Sequence, residues 1–111
     1  MNSSNNIHHK SLAAGRWHAL TLAEQLGNIG SEFSRALNAK QQGNAERFNG
    51  AQARFYELMD LTISDGRWRG LRRRELARVR EDAARELTEM NTRPTLQKYF
   101  DQFALAARAR R

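Results

Sequence analysis

LAEQLGNIGSEFSRAL, residues Leu22–Leu37, is the stretch whose spacing decides the fold. Leu22, Leu26, Ile29, Phe33 and Leu37 follow one another at steps of four, three, four and four. Residues three and four apart lie on one face of an α-helix, so these five make a single apolar stripe. Trp17 and Leu20 extend it backwards, and the pattern predicts a first helix from near Ser11 to about Gln41. Gly27 and Gly30 fall inside that helix, where a glycine costs about 1 kcal/mol relative to alanine. A second helix packed closely against them would account for both, since the missing side chains leave room. A kink is the competing account. Glu24, Asn28 and Glu32 share a face that reads as the wet side.

Outward from this helix the chain is punctuated clearly. Gly43-Asn44 ends it, and a second apolar face follows over Ala45 to Ser64, made by Phe48, Ala51, Phe55, Leu58 and Thr62 and widened by Met59 and Ile63. The short connection predicts an antiparallel hairpin. Asp65-Gly66 and Gly70 bracket the next turn. A third helix is expected over Leu71 to Met90, with a narrow stripe of Leu76, Val79, Ala83, Leu87 and Met90. Asn91-Thr92-Arg93-Pro94 interrupts it. A fourth helix, about Thr95 to Arg108, carries Leu96, Tyr99, Phe100, Phe103 and Ala107 on one face. The expected architecture is an all-α, antiparallel four-helix bundle over residues 11–111, after a polar, flexible arm at 1–10. Helices of about 30, 20, 20 and 14 residues do not match in a closed bundle. The first and fourth should therefore leave apolar surface for another protomer, which predicts a homo-oligomer.

Charge is distributed unevenly. The 111 residues are 40% hydrophobic and 28% charged, a folded rather than a disordered balance, and the net charge is +7. Through Gly66 the basic and acidic side chains balance, so the excess lies beyond it. It is densest in RWRGLRRRELARVR, Arg67–Arg80, where seven arginines face one acid, Glu75. Pairs such as Arg78 with Asp82 and Glu81 with Arg85 are expected to neutralise the far end of the third helix. Its start is left basic, against the preference of the helix dipole. Sixteen of the nineteen cations are arginine, whose planar fork grips phosphate in two places. A GC-rich genome would give the same bias. The candidate nucleic-acid site is Arg67, Trp68, Arg69, Arg72, Arg73, Arg74 and Arg78. Trp68 either stacks a base between its flanking arginines or covers the end of the core.

Catalytic signatures are not found. There is no glycine-rich phosphate loop, no His-Glu zinc motif, no Glu-x-x-His pair and no serine beside a base. Glu24, Glu32, Glu57 and Asp60 could converge only if the bundle turned them inward. His8 and His9 read as solvated, and no metal or cofactor is expected. The absence of cysteine excludes disulfides and thiolate metal sites. MNSSNNIHHK lacks the apolar segment of a signal peptide, and no apolar run reaches membrane-spanning length. The expectation is a non-enzymatic cytoplasmic protein, without a membrane partner, that binds RNA or another nucleic acid. The alternative is a structural or interaction bundle with an acidic protein partner.

Leu22 to Ala36 followed by ERFNGAQARFYELMDL, Glu46 to Leu61, resembles the first hairpin of a group of small bacterial four-helix bundles. That group includes the ribosomal-RNA intervening-sequence proteins and the accessory variability determinant (Avd) of diversity-generating retroelements. The shared features are Glu-Gln-Leu on the first helix, a short polar turn, then Phe and a Glu-Leu pair on the second. The Asn-Ile-Ala-Glu-Gly segment of the intervening-sequence branch is missing, which points toward the retroelement branch. The resemblance implies a basic homo-oligomer, a pentamer, that contacts a reverse transcriptase and its template RNA.

Overall fold

The computed structural model describes residues 15–89 and 95–109. Four helices, α1 (Leu22–Gln41), α2 (Ala45–Ile63), α3 (Leu71–Thr88) and α4 (Leu96–Ala109), form an all-helical bundle, with no strand among the described residues. Successive helices run in opposite directions. Gly27 and Gly30 of α1 meet Ala104 and Phe100 of α4 in reverse order, and Asp60 of α2 pairs with Arg80 of α3. None of these helices is long and apolar enough to cross a membrane.

The apolar stripes do what their spacing requires. Leu26, Ile29, Phe33 and Ala36 of α1 are fully buried, and α1 is the central helix, packed most extensively on α2 and α4. Phe33, Phe55 and Phe100 meet at the middle, with ring centroids 5.4–6.2 Å apart in tilted and edge-on arrangements. Such pairs contribute about 0.5–1.5 kcal/mol each beyond the area they bury. Leu76, Val79, Ala83 and Leu87 bring α3 onto this core. Gly27 and Gly30 are the points where α4 comes closest to α1. A β-carbon at Gly30 would lie closer than 3.0 Å to Phe100 Cβ, and one at Gly27 would lie 3.1 Å from Ala104 Cα. The close-packing account of these glycines therefore holds.

The first helix begins later than its stripe suggested. Gly15–Trp17 form one helical turn, the chain then turns through Ala19 and Leu20, and α1 starts afresh at Leu22. Thr21 has extended backbone angles, and its hydroxyl accepts from Glu24 N at 3.1 Å while Glu24 Oε1 accepts from Thr21 N at 2.9 Å. This reciprocal capping box stops the helix from extending backwards. Trp17 folds back instead and donates its indole N–H to Thr62 Oγ1 at 2.8 Å. His18 Nε2 lies 3.0 Å from Leu61 O, where it donates as the Nε2–H tautomer. The expected start at Ser11, the arm at 1–10 with His8 and His9, Met90 and the Asn91–Pro94 break lie outside the described residues.

With 20, 19, 18 and 14 residues, the four helices are better matched than expected, so the length argument for leftover apolar surface weakens. The aromatic face of α4 is spent internally: Phe100 is buried, and Tyr99 and Phe103 are half-buried against it. Large apolar side chains that do stand exposed are Leu71 (81%) and Leu105 (61%). Glu32, expected on the wet face, is only 8% exposed, because Arg35 and Arg54 both pair with it.

Charged side chains close the helix ends. Glu86 is buried and accepts from Thr95 N (2.9 Å) and Leu96 N (3.3 Å) through Oε1, and from the Thr95 hydroxyl through Oε2. A carboxylate there satisfies donors that the start of α4 leaves open and complements the helix dipole. Lys40 Nζ donates to Glu89 O (2.6 Å) and Glu86 O (3.3 Å), which are carbonyls at the end of α3. Each terminus of the α3–α4 junction thus receives the charge its dipole favours.

Candidate nucleic-acid interface

The basic stretch begins as a loop. α2 closes at Ser64, whose N–H bonds back to Asp60 O, and Asp65 N and Trp68 N continue the turn onto Thr62 O and Asp65 O. Gly70 has φ +60, a left-handed value that favours glycine, and it delivers the chain into α3.

Asp65 organises this loop. It is buried, and its carboxylate accepts from Arg67 N (3.0 Å), Arg67 Nη2 (2.7 Å), Arg67 Nε (3.1 Å) and Gln25 Nε2 (3.1 Å). The hydrogen bonds from the Arg67 side chain, helped by its backbone N–H and by Gln25, hold the Asp65 carboxyl well below the usual carboxylate range despite burial. Arg67 reaches on to Leu20 O at 2.7 Å, and its guanidinium stacks on the Trp68 ring at 4.6 Å. The Trp68 indole N–H is given to Gln25 Oε1 at 2.8 Å. Gln25 Nε2 also donates to Trp17 O at 3.0 Å, so this one buried amide joins the turn before α1, the α2–α3 loop and α1 itself.

The seven expected site residues therefore separate into groups. Arg67 and Trp68 form a clasp that closes this end of the bundle; of the two readings of Trp68, the geometry matches the one in which it covers the core. Arg69 is exposed, with Nε bonded to Gly66 O at 2.8 Å. Arg72 is ion-paired with Glu75 at 2.9 Å, and Glu75 also accepts the Tyr99 hydroxyl at 2.8 Å. Burial first, and then that hydrogen bond, pushes the Tyr99 phenol above its ordinary range, which keeps it a donor. The side chains of Arg73, Arg74 and Arg78 are exposed and make no hydrogen bond or ion pair among the described residues. The expected partner of Arg78, Asp82, is paired with Arg85 instead, which in turn removes the expected Glu81–Arg85 pair. Arg80, part of the basic stretch but not of the expected site, pairs with Asp60 at 2.8 Å and lies over Tyr56.

What remains is compact. α3 starts with no side-chain cap and no acid in its first turn. Its first backbone N–H groups and the positive end of its dipole belong to the same turn as Arg73 and Arg74, with Arg78 one turn further on. Such an arrangement is chemically suited to phosphate oxygens. Among the described residues no group of three histidine, cysteine or acidic side chains is placed to hold a metal ion. Gln25 and Asp65 were not singled out in the sequence. Gln25 left a usable signal, since it is a polar residue placed beside Leu26 and Leu22 on the buried face.

Compared with protein-family models, with curated proteins and with solved structures, the chain finds no match.

Proposed function

We propose that this protein is a non-enzymatic RNA-binding bundle that grips phosphates through the first two turns of α3. It acts in the cytoplasm as a homo-oligomeric accessory to a reverse transcriptase, in the manner that the resemblance of its α1–α2 hairpin to the Avd group implies. The observation that supports this reading is the uncapped start of α3, where Arg73, Arg74 and Arg78 stand without acidic partners while neighbouring arginines are paired. Arg73 and Arg74, beside the positive dipole end, each cost a few tenths of a kcal/mol, so folding stability does not account for them. A polyanion does.

The test is the salt dependence of binding to a labelled single-stranded RNA. Each phosphate contact contributes a slope of roughly −0.7 in log affinity against log salt. Replacing Arg73, Arg74 and Arg78 with glutamine should flatten the slope by about 2 and lower affinity on the order of 10–100-fold at low salt. Thermal stability should hold or rise. Unchanged affinity in the triple variant refutes the site. RNA binding that is absent altogether at low salt favours the alternative, an acidic protein as partner of the same face.

A further inference from the structure

A second cationic surface lies at the other end of the α1–α2 hairpin. Arg35 from α1 and Arg47 and Arg54 from α2 line an open groove of about 720 Å³, together with Asn38 and Gln42. Along the α2 axis it lies about 15–25 Å from the end of α2, at 1.5 Å per residue from Arg54 and Arg47 to Ser64. The three arginines are far apart in sequence, so no charge run announces them.

Two features distinguish this groove from an ordinary solvated helix pair. The first is preorganisation. Glu32, nearly buried beneath it, holds Arg35 Nη1 at 2.6 Å with one oxygen and Arg54 Nε at 3.1 Å with the other. Each guanidinium is thereby oriented through one nitrogen, while its other N–H groups have no partner among the described residues. Arg47 uses only its backbone N–H, bonded to Asn44 Oδ1, and its side chain is unpaired among the described residues. Of the groove's lining, only Glu46 carries negative charge against these three cations.

The second feature is Gly50. It sits inside α2, where glycine weakens a helix relative to alanine. Gly27 and Gly30 have a packing reason, the close approach of α4. Among the described residues Gly50 has none: a β-carbon there would meet Arg54 Nη1 at 3.5 Å, an ordinary contact, and its φ is not left-handed. The helical glycine without a packing contact of that kind among the described residues is one that lines the arginine groove, where it places no side chain.

We infer that this groove is a site for a phosphate-bearing ligand. Arginine forks suit the paired oxygens of a phosphate, and the volume accommodates a nucleotide-sized group. The Asn38 and Gln42 amides supply neutral hydrogen bonds at its edge. The phosphate comes either from a free nucleotide or from a nucleic-acid backbone, and the site is independent of the start of α3.

Amide NMR shifts of the full-length protein, followed at low salt with inorganic pyrophosphate, ADP and a short oligouridylate, test this. Pyrophosphate, ADP or the oligomer should shift the amides of Asn38, Arg47 and Gly50. Gly50→Glu, whose carboxylate competes for Arg47 and Arg54, and Arg47→Gln should each weaken that response at least tenfold. Neither change touches the core, so circular dichroism should remain that of the native protein. Glutamine at Arg73, Arg74 and Arg78 should leave the pyrophosphate response intact, which separates this site from α3. A response to pyrophosphate and ADP alone identifies a free phosphate ligand; one shared with or confined to the oligomer identifies a backbone. The proposal is overturned if no probe shifts these amides, if both groove variants respond like the native protein, or if polyglutamate shifts them as strongly as pyrophosphate.

Discussion

Gly30→Ala is the sharpest test of how this bundle is held together. The added β-carbon would lie closer than 3.0 Å to Phe100 Cβ and 3.1 Å from Phe100 Cγ. Carbon atoms pack at about 3.5–4.0 Å, so α1 and α4 must part by roughly 0.5 Å or more. The obstructing atom is a β-carbon, fixed to the α4 backbone, and no rotamer change removes it. Phe100 would be drawn away from Phe33 and Phe55, its partners at 5.4 and 6.2 Å. Overpacking of this kind costs about 1–3 kcal/mol, and the upper end applies because backbone has to move. Removing a helical glycine returns about 1 kcal/mol. The net loss should be about 2 kcal/mol, a fall in Tm on the order of 10 °C for a domain of this size. Gly50→Ala is the control: with only ordinary contact at 3.5 Å, the helical gain should appear and raise Tm by a few degrees, about 4 °C. Gly27→Ala, 3.1 Å from Ala104 Cα, should fall between them. Urea and thermal melts followed by circular dichroism measure all three. If Gly30→Ala stabilises the protein as Gly50→Ala does, the close α1–α4 contact is refuted.

Other expectations concern the polar ends of the bundle. Asp65→Asn should cost about 1–2 kcal/mol at pH 7, the lower range because the Arg67 side chain is 41% exposed and partly screened by water. Because the folded carboxyl is depressed, its contribution is complete above the unfolded value near pH 4 and is lost as pH falls toward the folded one. The native urea midpoint should therefore drop more steeply than that of Asp65→Asn between about pH 5 and pH 2, and parallel curves would contradict the Arg67 clasp. Glu86→Ala should destabilise by about 1–2 kcal/mol by uncapping α4. Hydrogen exchange should quicken first at Thr95 and Leu96, with Glu86→Gln milder; uniform exchange along α4 would argue against the cap.

Helix content was legible because it is written at short range. Spacings of three and four placed Leu26, Ile29 and Phe33 on one face, Ala51, Phe55 and Met59 on another and Leu76, Val79 and Ala83 on a third, and all are buried. The late start of α1 was legible too, in Thr21-Leu22-Ala23-Glu24, the spacing of a capping box. The apolar positions of Trp17 and Leu20 masked it, since a side chain can join a core from a turn as well as from a helix. Helix ends at Gly43 and Asp65-Gly66 were readable from backbone chemistry alone.

Which arginines are free was not readable in this way. Arg67 to Arg80 looks continuous in sequence, yet Asp65 takes Arg67, Glu75 takes Arg72 and Asp60 takes Arg80, the last across two helices. The sequence by itself determined the helices, their apolar faces and the excess of positive charge in the second half, because these depend on residues a turn apart. Only the tertiary structure decided that Trp68 belongs to a clasp, that Gly27 and Gly30 admit α4 while Gly50 meets only the Arg54 side chain among the described residues, and that Arg35, Arg47 and Arg54 share a groove. Those outcomes depend on distances between helices, and no local periodicity encodes them.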